Sequence, residues 1–129
     1  MDKKKILIVD DEPSIRLAVN RMLIKDYTIL EATNGEEAID IAKEQKPALI
    51  LMDLMMPRID GYTACSKIKS DPATKAIPVV MITAIGHELN KKFANEMGAD
   101  GYIIKPFTRE DLLDTISRFI KNTNLSGAN

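Results

Sequence analysis

The chain has 129 residues, 45% of them hydrophobic and 29% charged, the size and composition of one globular domain with a core of its own. Eighteen basic side chains against nineteen acidic ones leave a net charge of −1, so no global field draws the domain to nucleic acid or to an anionic membrane. Cys65 is the only cysteine, which excludes an intramolecular disulfide and a cysteine-based zinc cluster. The apolar run Ile6–Val9 behind the basic N-terminus is too short for a signal peptide, and no stretch reaches the length of a transmembrane helix. The expectation is a cytoplasmic protein without a membrane partner and without direct nucleic-acid binding.

Five short apolar runs read as strands: Ile6–Val9, Tyr27–Leu30, Ala48–Met52, Pro78–Ile82 and Tyr102–Ile104. Between them the spacing turns helical. Ile15, Ala18, Val19, Met22 and Leu23 form a first stripe, opened by Pro13 at a favoured first-turn position. Asn34 with Glu37 three residues on predicts a capping box and a second helix through about Ala42. A third starts near Gly61, turns Cys65 and Ile68 inward, and stops before Asp71 and Pro72. Leu89, Phe93, Ala94 and Met97 mark a fourth, with Gly98 as its C-cap. Thr108 caps a fifth, whose apolar face is Leu112, Leu113, Ile116, Phe119 and Ile120. Strand and helix alternate five times, which predicts an α/β fold, a five-stranded parallel sheet covered on both faces. Right-handed crossovers leave few topologies, and the flavodoxin-like order 2-1-3-4-5 is the expected one. The domain then spans residues 1–121, with 122–129 a polar tail or the start of a linker.

The run Ala48–Met52 delivers Asp53 to the C-terminal edge of that sheet, where open α/β sheets collect their ligands. In the expected order the first, third, fourth and fifth strands are neighbours, and each ends on a polar residue. These are Asp10 and Asp11, then Asp53, then Thr83, then Lys105 followed by Pro106. Two like charges about 4 Å apart repel by roughly 4 kcal/mol at an effective dielectric of about 20. Three carboxylates facing a single lysine are therefore short of positive charge, and a divalent cation resolves the shortage. Magnesium favours hard oxygens, with one or two carboxylates, waters and a phosphate oxygen, so the site reads as built for a metal and a phosphoryl group together.

With these residues in view, the sequence resembles the receiver domain of two-component response regulators over about residues 4–121. Asp10-Asp11, Asp53 with Met56-Pro57 behind it, Thr83-Ala84, Gly98-Ala99-Asp100 and Lys105-Pro106 carry the resemblance. It implies that Asp53 is the phosphoacceptor, charged by a sensor histidine kinase or a phosphotransfer protein. It implies that Asp10, Asp11, Asp53 and the backbone carbonyl of Met55 hold Mg²⁺ or Mn²⁺, with Asp10 acting mainly through water. Thr83, Ala84 and Lys105 then bind phosphate, and the Lys105–Pro106 bond is cis. Switching is carried by Thr83 moving toward the phosphate and Tyr102 rotating behind it. A downstream output protein or domain reads the face of the fourth helix, fifth strand and fifth helix. The implied role is a signalling switch, not an enzyme with its own substrate.

Plainer readings exist for each part alone. Asp10, Asp11 and Glu12 ahead of Pro13 could cap the first helix, Asp53 could form a turn, and Lys105 could lie along the surface. Convergence at four strand ends outweighs them. His87 reads as a solvated loop residue and Cys65 as core packing. The competing function is an aspartate-nucleophile phosphatase of the haloacid-dehalogenase type, whose Asp-x-Asp motif is not met by Asp10-Asp11-Glu12-Pro13-Ser14. A flavodoxin-like nucleotide binder lacks its glycine-rich loop. Met55 and Ile85, apolar and beside the site, predict slow self-dephosphorylation. Gly101 follows Asp100 where winged-helix regulators of this family carry an acidic pair. Residues 70–78 look like those of receivers that stand alone, sit in hybrid kinases or precede diguanylate cyclase domains.

Overall fold

The computed structural model describes residues 3–54, 56, 61–84, 96 and 98–128, with the backbone alone for Ala84 and 121–128. The strands are β1 (Lys5–Val9), β2 (Thr28–Ala32), β3 (Leu49–Asp53), β4 (Val79–Ala84) and β5 (Gly101–Lys105). The helices are α1 (Pro13–Leu23), α2 (Gly35–Gln45), α3 (Gly61–Ser70) and α4 (Arg109–Ala128). Thus α4 is the fifth helix expected from the sequence, and the fourth, with Leu89, Phe93, Ala94, Met97 and the preceding His87, lies outside the described residues. All strand pairs are parallel, in the order β2-β1-β3-β4-β5.

Two cores lie back to back, because successive strand side chains point to opposite faces. Leu7, Val9, Ile50 and Met52 pack under Ala38 and Ala42 of α2 and Ala64, Cys65 and Ile68 of α3. Ile6, Ile8, Leu49 and Leu51 pack under Val19 and Leu23 of α1 and Leu112, Ile116 and Ile120 of α4. Ile6–Val9 and Leu49–Met52 are wholly buried, so β1 and β3 are apolar on both faces as parallel central strands must be. Each such Leu or Ile stabilises the fold by about 1.5–3 kcal/mol relative to an exposed one.

Helix ends follow their local chemistry. Pro13 opens α1, and Glu12 at its N-cap makes no side-chain cap bond, so the plain capping reading of the acidic triplet fails there. Asn34 Oδ1 accepts the Glu37 N–H at 2.9 Å while Glu37 Oε1 accepts the Thr33 N–H at 2.6 Å. Thr108 and Asp111 exchange bonds at 3.0 and 3.1 Å, a complete capping box for α4. Gly98 has φ 89°, the left-handed conformation expected of a C-cap. The backbone of α4 stays helical to Ala128, seven residues past Lys121, where the apolar periodicity stops. No helix among the described residues is long and apolar enough to cross a membrane.

Candidate functional site

The parallel register brings the strand ends to one edge. Val9 lies beside Met52, Asp53 beside Ile82 and Ala84 beside Lys105, so Asp10, Asp53, Thr83 and Lys105 leave the sheet at nearly one level. One carboxylate oxygen from each of Asp10, Asp11 and Asp53 lies within 4.8 Å of the other two. Asp10 is fully buried and Asp53 nearly so, while Asp11 stands at the surface. Lys105 Nζ is 3.8 Å from Asp53 Oδ1, close enough for an ion pair and too long for a hydrogen bond.

Two atoms at this edge lack what buried polar groups normally have. Asp10 Oδ1 accepts the Glu12 N–H at 2.9 Å, but Asp10 Oδ2 is buried with no hydrogen-bond partner among the described residues. Thr83 Oγ1 is in the same position. Buried polar atoms are nearly always paired, and leaving one unmade costs about 1–3 kcal/mol. Burial pushes the Asp10 carboxyl above the usual carboxylate range, and Asp11 and Glu12 push the same way. The Glu12 N–H and the Lys105 ammonium pull it back in part. An edge that gathers acids, leaves a carboxylate oxygen orphaned and offers a hydroxyl fits a hard cation with an anionic ligand beside it.

The other expected site residues divide. The Lys105–Pro106 peptide bond is cis. Ala84 closes β4 with its backbone, and Tyr102 stands 39% exposed on β5 beside Met81. Met55 and Ile85 lie outside the described residues. Two supporting residues escaped the sequence reading. Arg16 reaches back from α1 to the Asp10 carbonyl. Gly61 seats α3 on the end of β3, donating to the Leu54 carbonyl at 3.1 Å. A Cβ there would collide with the Asp53 carbonyl and stand 2.9 Å from Leu54 Cα, so only glycine lets the helix come this close. The sequence marks Gly61 only as a helix start and Arg16 not at all.

A five-stranded 2-1-3-4-5 sheet with a triple acid cluster at its C-terminal edge defines the class as a flavodoxin-like receiver fold. The model of the response regulator receiver domain matches residues 6–117, and the chain belongs to that family. It is 37% identical over 130 residues to "Probable transcriptional regulator ycf27" of Porphyridium aerugineum, covering 100% of this chain and 53% of that protein. It is 36% identical over 121 residues to the DNA-binding dual master transcriptional regulator RpaA of Synechocystis, covering 93% of this chain and 50% of that one. Among solved structures it matches the receiver domain of the sensor histidine kinase PA1611 of Pseudomonas aeruginosa, in which a magnesium ion is coordinated in the active-site cleft. That match has a TM-score of 0.86 at 28% identity and covers 92% of this chain and 98% of that one.

These relatives overturn one expectation. The absence of direct nucleic-acid binding rested on a net charge of −1, yet a relative matched along nearly this whole chain is named as DNA-binding. The chain spans about half the length of the curated relatives it matches, so its near-neutral charge says nothing of the half of those relatives that it does not span. At Gly101, where β5 begins, a Cβ would come 2.5 Å from the Phe119 ring on α4, so a larger residue there would require the ring to shift.

Proposed function

We propose that this chain is a phosphorylation-controlled switch whose Asp53 accepts a phosphoryl group from the phosphohistidine of a sensor histidine kinase or phosphotransfer protein. The observation that carries the reading is the acid cluster, three carboxylates within 4.8 Å with an orphaned oxygen on Asp10 and an ammonium 3.8 Å from Asp53. In the transfer the P–N bond breaks, its electron pair stays on the imidazole, and a P–O bond forms to the Asp53 carboxylate. Asp10, Asp11 and Asp53, with the Met55 carbonyl, would hold Mg²⁺ or Mn²⁺. Held there, a divalent cation would neutralise charge on the carboxylates and on the incoming phosphoryl oxygens.

Lys105 pairs with one phosphoryl oxygen, and Thr83 Oγ1 and the Ala84 backbone take others. Each charge-assisted bond is worth about 1.5–3 kcal/mol. Two or three of them cover the roughly 5.5 kcal/mol that moves a two-state equilibrium from 1:99 to 99:1. Thr83 moving toward the phosphate frees space for Tyr102 and alters the surface of β5, α4 and the helix expected over 89–97. The output that reads this surface in a longer regulator is a DNA-binding region, as the relatives' names suggest, and the protein works in the cytoplasm.

Incubation with acetyl phosphate and Mg²⁺ tests the reading. The expected product carries one acid-stable, hydroxylamine-labile phosphoryl group on Asp53, absent from Asp53→Asn. Continuous release of phosphate with nothing retained on the chain would instead identify an aspartate-nucleophile phosphatase.

A further inference from the structure

Asp10 and Asp11 are consecutive, and in a strand consecutive side chains point to opposite faces. For both carboxylates to reach the point that Asp53 reaches, the chain must leave strand geometry between them, and something must hold it there. The Asp10 N–H still belongs to the sheet, donating to the Ala32 carbonyl at 3.1 Å. Beyond that, two bonds hold the turn. Asp10 Oδ1 accepts the Glu12 N–H at 2.9 Å, and the Asp10 carbonyl oxygen accepts Arg16 Nη1 at 2.7 Å.

The guanidinium that makes this second bond is itself pinned. Arg16 Nε donates to Glu31 Oε1 on β2 at 3.0 Å, and the arginine side chain is only 15% exposed. Its backbone N–H closes the first turn of α1 on the Glu12 carbonyl at 3.2 Å. One planar fork therefore ties the end of β1, the start of α1 and the edge strand β2 together. A lysine, with a single ammonium on a flexible stem, could not reproduce that fixed two-acceptor geometry.

We propose that Arg16 is a positioning residue of the cation site. By gripping the Asp10 carbonyl it holds the 10–12 turn in the shape that aims both carboxylates at Asp53. This rests on the reading that the acid cluster binds a divalent cation. Charge alone predicts the opposite sign, because removing a positive group near a cation site should tighten cation binding. The direction of the effect therefore separates positioning from electrostatics.

The test is calorimetric titration of the whole chain with Mg²⁺ alone, for wild type, Arg16→Gln, Arg16→Lys and Glu31→Gln, with thermal unfolding measured without metal. Residues that orient ligands typically affect metal affinity by about tenfold or more, and that weakening is expected for Arg16→Gln, with Arg16→Lys and Glu31→Gln falling in between. A folded Arg16→Gln that binds Mg²⁺ within about twofold of wild type, or more tightly, overturns the proposal even if its unfolding temperature drops. Should that variant not fold, the other two decide, and affinities both within about twofold of wild type overturn it. A wild type that binds no Mg²⁺ overturns the reading of the site itself, and this proposal with it.

Discussion

Aspartate and lysine meet at both ends of the sheet, and the two meetings differ. At the N-terminal edge, Asp100 Oδ2 accepts Lys69 Nζ at 3.0 Å and the Val79 N–H at 2.8 Å, and the same Nζ donates to the Ile77 carbonyl at 3.0 Å. At the C-terminal edge, Lys105 stays 3.8 Å from Asp53, three carboxylates crowd together, and Asp10 Oδ2 and Thr83 Oγ1 have no partner among the described residues. In the first arrangement Asp100 Oδ2 and Lys69 Nζ each make two hydrogen bonds, which clamp α3, β4 and β5 together. The second is left open at the cost of burying polar atoms unpaired. Similar side chains thus build a clamp at one end and, on the proposed reading, a receptor for cation and phosphate at the other, and the number of hydrogen bonds made tells them apart.

Breaking the two ends should have different consequences. The largest effect is expected from Gly61→Ala, which drives a Cβ into the Asp53 carbonyl. Overpacking of this kind costs about 1–3 kcal/mol, and here it also displaces Asp53, the proposed phosphoacceptor. Denaturant unfolding should show the loss, and the rate of phosphorylation by acetyl phosphate should fall with it. Asp100→Ala comes next. It leaves the Val79 N–H unpaired, and because the Asp100 side chain is 34% exposed the cost should sit near the lower end of about 1–3 kcal/mol. Mg²⁺ affinity and phosphorylation should not change, and if they did, the separation of clamp from receptor would be wrong.

Much of this was legible in the sequence, for reasons that also mark where legibility ends. Apolar runs locate strands because parallel strands are buried on both faces, so the topology and the convergence of Asp10, Asp53, Thr83 and Lys105 follow from pattern alone. The run Tyr27–Leu30 misses the end of β2 at Ala32, because Glu31 on this edge strand is exposed and turned toward Arg16. The roles of Arg16, Gly61 and Asp100 depend on partners 6 to 31 residues away, which no local spacing encodes. The nucleic-acid expectation failed for another reason. A net charge of −1 over this chain carries no information about the half of a DNA-binding relative that the chain does not span.

The smallest and most direct effect concerns Asp10. Burial holds its carboxyl above the usual range, so the metal-free fold penalises the charged form relative to the unfolded chain. That contribution to stability is present below the ordinary carboxylate range and is lost as pH rises through the raised value. The decisive measurement is the unfolding temperature of wild type and Asp10→Asn across pH, with and without Mg²⁺. The account predicts that near neutral pH the metal-free wild type is the less stable of the two, and that Mg²⁺ stabilises wild type more than the variant. In acid, with the carboxylates protonated, the Mg²⁺ effect should vanish. An unfolding temperature for wild type that ignores Mg²⁺ at neutral pH would contradict it.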